Sequence, residues 1–497
     1  MRSLPSLPAT IHIIGIAGIG MSAIAQLCVR LGYDVQGSDL DISKFPTGKI
    51  QHVSMCNGHE EANLYRWKKV PTCVIVSSII KDDNPELLEA IRNNIPVIKR
   101  AEALSWLLRD TFNIAISGTS GKTTTTSITG ELFLKHNIPC TVISGGIMKA
   151  YGTNCIIGEY PSVRYPVVVE ADESDGTFTA ISRNIAMCTT IVPEHMEFFK
   201  SIEAFEKAYC DFLNNGKDDI CAVVCGDIDE NTCSNRVINN SKNIILYGLD
   251  ESRNHVYASN LVVGEYTVFD IYIKKTLHHS LKSDIEIKGV KLSLLGKHNV
   301  KNFLCAVCGL MMYQIKTVGS IDIAYDVIRD CFQDFRGVES RMDALGKLFD
   351  RYDNEIYVFS DYAHHYKEIE CTANSFIEYC RTCRQDCSII IVIELHKYSR
   401  LTANFEQYLD VLSAMKADKV ILMEIYECWE NAKDYPVTSS NAHVAKVVNE
   451  RRGEDFIIVL KKNELLKDVI LEQEKGKKMV ICMGAGKMRK CAEALIK

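Results

Sequence analysis

The sequence has no excess of positive charge. Lys and Arg total 57 and Asp and Glu total 63, a formal net charge of −6. That balance argues against a nucleic-acid partner while leaving room for local basic pockets that take phosphate. Internal repeats and low-complexity tracts are also lacking, and with 47% apolar and 24% charged residues long disorder and fibrous classes are excluded. Beyond the N-terminus nothing is long and apolar enough to span a bilayer, so no membrane insertion is expected. The 20 cysteines are too sparse for a disulfide scaffold and lie scattered through apolar runs, as reduced, buried thiols do. Two CxxC pairs, Cys305 with Cys308 and Cys380 with Cys383, could make a zinc site with Cys387. Both pairs lie in helix-like stretches, where a three-residue step is ordinary packing.

At 497 residues the chain is long enough for about three domains, each with its own core. Residues 3–29 carry no charge, and with Arg2 before them and Ala23-Ile24-Ala25 imitating a cleavage site they could form a signal peptide. Pro5, Pro8 and three glycines interrupt that run. It also reads as a strand at 11–16, a turn at Gly15, Gly18 and Gly20, a helix at 21–31 and a second strand at 33–37 closing on Ser38 and Asp39. Such a βαβ unit holds a pyrophosphate at its helix N-terminus and a ribose near the acid. The GxxGxG spacing departs from the GxGxxG of nicotinamide dinucleotide binders, which disfavours a dehydrogenase. Another strand is expected at 113–117. After about Tyr325, strands at 355–359, 388–393, 419–423, 456–460 and 478–483 alternate with helix-length pieces, the pattern of a parallel sheet. The expected fold is therefore α/β in three domains, 1–108, 109–335 and 336–497.

The strand at 113–117 runs into Gly118-Thr119-Ser120-Gly121-Lys122-Thr123-Thr124. The glycines let backbone N–H groups curl around phosphate, Lys122 supplies a point charge and Thr123 offers a hydroxyl to Mg2+. Some fifty residues on, a strand ends in Glu170, Asp172, Glu173 and Asp175. A hydrated Mg2+ bridging nucleotide phosphates takes one or two such carboxylates, and Glu170 is the expected ligand. Glu194-His195 follows another apolar strand, where the histidine is either structural or part of the same site. Asn299 and Asn302, three apart on one helix face, could read a base edge as Asn reads adenine, or serve as caps. Asp361-Tyr362-Ala363-His364-His365 and His396-Lys397-Tyr398-Ser399-Arg400 each follow a strand of the last segment, where open α/β sheets bind ligands. The paired histidines could hold a metal, but beside Lys397 and Arg400 a carboxylate-binding pocket fits better.

Taken in order, GIAGIGMSAIA, GTSGKTTTT, VEADESDGTF, GKHNVKN, DYAHH, HKYSR and CMGAG resemble the bacterial Mur ligases over nearly the whole length. The resemblance makes the uncharged N-terminus part of the fold rather than a leader. It implies a Rossmann-like first domain for a UDP sugar, a central P-loop ATPase-like domain with a mostly parallel sheet, and a Rossmann-like last domain that brings an amino acid. The implied reaction is ATP-dependent ligation of L-alanine to UDP-N-acetylmuramate in cytoplasmic peptidoglycan synthesis. A recycling ligase that joins a stem peptide to the same sugar, or a non-catalytic homologue, are the alternatives.

By motif position Lys122 cradles the β/γ-phosphates, with Gly118 to Thr124 lining the ATP site. Thr123 and Glu170 bind one Mg2+ and His195 a second, Asn299 and Asn302 face adenine, and Arg341 and Asp361 reach ATP. Tyr362, His364, His396, Lys397 and Arg400 surround L-alanine. Gly15, Gly18, Ile19, Gly20, Met21, Ser22, Ser38, Asp39, Ser77 and Ser78 hold the UDP sugar. The implied catalytic set is Lys122, Glu170, His195, His364 and Arg400. Six positions depart from the family pattern: Ser120 replaces a histidine, Ser340 an arginine, Leu395 a proline, Lys397 an arginine, Tyr366 a proline and Lys487 an aspartate. No protein partner is readable.

Overall fold

The structure, a computed structural model, describes residues 3–497 apart from 47–52, 68, 78, 175, 218–219, 229–231, 429, 462–464 and 474–475. It is an α/β chain built on three sheets. The first comprises β1 (Thr10–Ile14), β2 (Asp34–Asp39), β3 (Val53–Asn57), β4 (Cys73–Val76) and β5 (Val97–Lys99), all parallel in the order β3-β2-β1-β4-β5.

The second has ten strands. These are β6 (Phe112–Ser117), β7 (Thr141–Met148), β8 (Thr153–Ile156), β9 (Pro166–Glu170), β10 (Ile185–Cys188), β11 (Cys221–Cys225), β12 (Ile244–Gly248), β13 (Val256–Val263), β14 (Thr267–Ile273) and β15 (Ile285–Leu292). Their order is β15-β14-β13-β12-β11-β10-β6-β9-β7-β8, parallel from β13 to β7 and antiparallel at both ends. The third holds β16 (Asp343–Phe349), β17 (Glu355–Asp361), β18 (Ser388–Ile393), β19 (Lys419–Leu422), β20 (Ile457–Val459) and β21 (Lys478–Met483) in the order β16-β17-β21-β18-β19-β20, with only β16 antiparallel.

Burial explains the strand sequences. β6 and β21 are buried at every position, as parallel strands covered by helices on both faces must be, and so read as nearly continuous apolar runs. β14 alternates buried and half-buried residues, the period of a strand with one covered face. The apolar strand before Glu194, read from the sequence as 186–192, stops at Cys188; beyond it the Thr189 hydroxyl donates to the Ser120 carbonyl, and the Thr190 hydroxyl and carbonyl accept from the N–H groups of Ser120 and Thr119 in the phosphate loop. Cys305 and Cys308 lie buried inside the helix Lys297–Val318. Among the described residues no helix is long and apolar enough to cross a membrane.

Side chains tie the three sheets together. Asn154, fully buried in β8, donates to the Ile19 carbonyl at 2.7 Å and accepts from Ser22 at 3.3 Å. Toward the last sheet, Met148 pairs with Val338 as an isolated antiparallel bridge, and Asp343 takes ion pairs from Lys149, just after β7, and from Arg489. The C-terminal ends of β1, β6 and β17 thereby converge on one cleft.

Candidate functional site

The phosphate loop is shaped by two glycines in left-handed backbone, Gly118 (φ +131°) and Gly121 (φ +86°). A Cβ on Gly118 would stand 2.2 Å from the Thr189 hydroxyl, so the strand crosses its neighbour too closely for any side chain. Gly121 starts the helix Lys122–Lys135 without a side-chain cap, leaving its first N–H groups directed toward an anion. The loop hangs on the segment that follows β10: the Thr119 N–H donates to the Thr190 carbonyl at 2.9 Å and the Ser120 N–H to the Thr190 hydroxyl at 3.0 Å. Lys122 donates through Nζ to the Gly118 carbonyl at 2.7 Å and to Glu173 at 2.9 Å. Burial works against its charge, but Glu173, Asp172 and Glu170 outweigh that and hold its pKa above the ordinary lysine value.

The carboxylates divide into two groups. Glu170, at the end of β9, accepts from the Thr123 hydroxyl at 3.0 Å and the Gly145 N–H at 2.6 Å. His195 stands instead with Glu173 and Glu194, their ligand atoms all within 4.8 Å of one another. Burial pushes Glu173 up to about 7, with Lys122 opposing and Asp172 adding to the rise. Sequence reasoning chose Glu170 and His195 and left out Glu173 and Glu194. Their signal was the clustering of acids, but spacing alone does not say which loop carboxylates turn inward.

Beside the loop lies a cavity of about 150 Å³ whose walls include Thr124, Asn299, Asn302, Arg341 and Asp361. The two amides are bonded to each other and to the helix start. Asn299 gives its NH2 to the Leu295 carbonyl at 2.8 Å and accepts from Asn302 at 3.1 Å. Asp361 is similarly engaged, accepting from the N–H groups of Met342 at 2.7 Å and Ala363 at 2.8 Å.

An aromatic and cationic cluster surrounds His364. Its ring centroid lies 5.3 Å from Tyr362 and 5.0 Å from His396, and Arg400 Nη1 is 3.4 Å from His396 Nδ1. Two features are new. Arg400 donates to Glu194 across the cleft at 3.0 Å, and Glu368, which sequence reasoning passed over, accepts from the N–H groups of His364 and His365 at 3.2 and 3.3 Å. Lys397 sits at φ +65° with its N–H on the Tyr426 carbonyl at 2.9 Å.

Burial keeps nearby imidazoles neutral, bringing His298 and His365 down to about 4 and His396 to about 3. Unfolded histidines protonate near pH 6.5, so the unfolded chain binds more protons below that pH. Stability is complete above about pH 6.5 and drains away as the pH falls toward 4. The unfolding free energy from urea titration should be lower at pH 5 than at pH 7.5, by up to about 2 kcal/mol for each of these histidines, and His365→Asn should flatten that dependence. A midpoint independent of pH over this window would contradict the buried neutral state.

At the first sheet Gly15 (φ +81°) makes the turn and Asp39 closes it by accepting the Ala17 N–H at 3.0 Å. Ile19 and Gly20 line the main cleft, and Gly18 precedes the helix Ile19–Arg30. Ser77 packs beside Gly15, while Ser78 lies outside the described residues. Three expected contacts point elsewhere. Ser38 is fully buried and gives its hydroxyl to Glu86 at 2.7 Å, Ser22 bonds Ile19 and Asn154, and Met21 is packed in the core.

All three sheets wall a cleft of about 540 Å³, with Gly20 from the first, Lys122, Glu170, Glu173, Glu194 and His195 from the second, and Arg341, Tyr362, His364 and Arg400 from the third. Known proteins share this plan. The Mur ligase middle domain matches residues 116–310, and the domain described as Mur ligase family, catalytic domain matches residues 10–111. A UDP-N-acetylmuramate–L-alanine ligase of Parvibaculum lavamentivorans is 34% identical over 100% of this chain and 94% of its own. The Rickettsia felis protein of that name is 33% identical over 98% and 95%. Among solved structures, the UDP-N-acetylmuramate-alanine ligase of Thermotoga maritima matches with a TM-score of 0.72 at 22% identity, covering 98% of both chains. A murein peptide ligase of Psychrobacter arcticus matches at 0.65 and 19% identity, again over 98% of both. With relatives of this identity along its full length, the chain belongs to the Mur ligase family.

Proposed function

We propose that this chain is an ATP-dependent ligase that joins L-alanine to UDP-N-acetylmuramate, releasing ADP and phosphate, in cytoplasmic peptidoglycan synthesis. The observation that carries the reading is one cleft in which a glycine turn, a phosphate loop and a cationic, imidazole-rich cluster meet from three sheets. The names of the full-length relatives support the choice of substrates. In this reading residues 1–108 hold the UDP sugar, 109–335 hold ATP and 336–497 bring the amino acid.

The lactyl carboxylate of the sugar attacks the γ-phosphate of ATP, and ADP leaves. The resulting acyl phosphate carries a far better leaving group than a carboxylate. The amine of L-alanine then attacks the activated carbonyl, and the tetrahedral intermediate collapses to amide and phosphate. Lys122 exchanges Glu173 for the phosphates, and the open N–H groups at the start of its helix bind the same oxygens. His364 lies 3.1 Å through Nδ1 from the Tyr362 carbonyl; with the proton on Nδ1, Nε2 is free to take the proton the amine sheds. Arg400 exchanges Glu194 for the carboxylate of L-alanine. Closure of the three domains around the cleft keeps water from the acyl phosphate.

Hydroxyl and carboxylate oxygens with a single imidazole form a hard donor set that suits Mg2+. Thr123 and Glu170 would hold one ion, and His195 with Glu173 and Glu194 a second. Bound there, Mg2+ supplies neutralisation of charge on the phosphates. Glu170→Ala and His195→Ala should each raise the Mg2+ concentration for half-maximal rate several-fold, and an unchanged Mg2+ titration would return that residue to a structural role.

The testing experiment is ADP release with UDP-N-acetylmuramate against L-alanine, L-serine, glycine and a stem peptide. The reading predicts L-alanine as the best acceptor. Faster release with the peptide would make the chain a recycling ligase, and sugar binding without release a non-catalytic homologue.

A further inference from the structure

Glu368 lies in the first turn of the helix Tyr366–Cys383, where the positive end of the helix favours a carboxylate. One of its oxygens meets three donors. Oε2 accepts from the His364 and His365 N–H groups at 3.2 and 3.3 Å and stands 3.2 Å from His364 Nδ1. The two backbone bonds fix that oxygen in front of the ring. His364 Nδ1 is also 3.1 Å from the Tyr362 carbonyl, so both neighbours of this nitrogen are acceptors. Nδ1 therefore carries the ring proton, and Nε2 keeps its lone pair. The other groups that face the ring are Arg341 before β16, Tyr362 after β17, His396 and Arg400 after β18, and Glu194 after β10, which pairs with Arg400. Burial, Arg400 and Arg341 work against an imidazolium here, and Glu368 is the carboxylate that opposes them.

We propose that Glu368 is a positioning residue of the ligation step, holding His364 in the Nδ1–H form and pairing with the imidazolium that arises when Nε2 takes a proton from the ammonium of L-alanine. The inference rests on the reading of the reaction given above. An amino acid enters as an ammonium, which has no lone pair to attack with. Once one proton has passed to Nε2, the nitrogen bonds to the activated carbonyl, a second proton leaves with the departing phosphate and the third stays on the amide. The positive charge left on the ring then faces the Glu368 carboxylate. A carboxylate behind an imidazole fixes the tautomer and stabilises the imidazolium without itself being protonated. L-alanine assists the transfer, because its own carboxylate neutralises Arg400, one of the cations that oppose the imidazolium.

Glu368→Gln tests this, since it keeps an oxygen for the two N–H groups and removes the charge, and a thermal melt beside the other measurements checks the fold. ADP release is followed with UDP-N-acetylmuramate, ATP and either L-alanine or hydroxylamine, an amine already neutral at pH 7.5. Glu368→Gln should lose at least about tenfold in rate with L-alanine and stay within about threefold of wild type with hydroxylamine. His364→Ala should show the same contrast, and the double variant should lose no more than His364→Ala alone. Independently of turnover, spectra of the histidine-15N-labelled chain, with the His364 signal assigned by its loss in His364→Ala, should show its protonated fraction at pH 5 falling at least about threefold in Glu368→Gln. Equal losses with both amines would make Glu368 a structural residue, additive losses in the double variant would separate it from His364, and an unchanged protonated fraction would break the pair; each overturns the proposal. A His364 that responds in this way in a chain that releases no ADP would leave the pair standing and overturn the function reading instead.

Discussion

Lys122→Ala should lower ATP-dependent turnover at least a hundredfold while leaving the fold intact. The ammonium lies inside the phosphate loop, 2.7 Å from the Gly118 carbonyl and 2.9 Å from Glu173, where it meets the charge that shifts as the γ-phosphate transfers. Removing one preorganised donor from such a site typically costs about 2.7 to 4 kcal/mol of transition-state stabilisation, which is about a hundredfold or more in rate. The usual complication is a buried partner left charged. Here Glu173 already stands near 7 with Lys122 present, so losing the ammonium lets it take up a proton rather than remain an unpaired anion. Stability should therefore change far less than rate. A thermal melt beside the kinetics separates the two, and a variant that keeps more than a tenth of the rate would remove the loop from phosphate chemistry.

Arg400→Ala should raise the KM for L-alanine tenfold to a hundredfold, with the KM values for ATP and the UDP sugar little changed. A free amino acid presents a carboxylate, and Arg400 is the cation of the HKYSR segment that lines the cleft. Losing a charge-assisted hydrogen bond costs about 1.5 to 3 kcal/mol, which sets that range. The ion pair with Glu194 adds to the argument. Arg400 is already desolvated and aimed at a carboxylate at 3.0 Å, so the incoming substrate replaces one anion with another and meets a pre-ordered fork. Arg400→Lys should recover only part of the loss. An ATP KM that climbs while the alanine KM stays put would assign Arg400 to the nucleotide site.

Much of the fold was legible because parallel strands buried on both faces leave unmistakable apolar runs. The strands expected at 388–393 and 478–483 coincide with β18 and β21. No expectation covered residues 256–292, where two antiparallel hairpin pairings extend the second sheet, although Thr267–Ile273 alternates plainly enough to be read as a strand. Ser38 and Asp39 show a signal overlooked. Neighbours on one strand point to opposite faces, so with Asp39 turned to the glycine turn Ser38 had to face the buried Glu86.

Glu194 was harder to see, because its partner is distant in sequence: it meets Arg400 206 positions away. Glu368, in the first turn of the helix Tyr366–Cys383, caps the N–H groups of His364 and His365, a local signal that was passed over. The spacing puts the two asparagines on one helix face, and both line one cavity, but their mutual hydrogen bond depends on side-chain rotamers that spacing does not encode.

The most direct measurement uses UDP-N-acetylmuramate labelled with 18O in both lactyl carboxylate oxygens, incubated with ATP, L-alanine and the wild-type chain, with products read by mass spectrometry. The acyl-phosphate route passes one carboxylate oxygen to the phosphate and keeps the other in the amide. The account predicts inorganic phosphate carrying one 18O for each L-alanyl product that retains one 18O. Unlabelled phosphate, or ADP formed without a new amide, would contradict it.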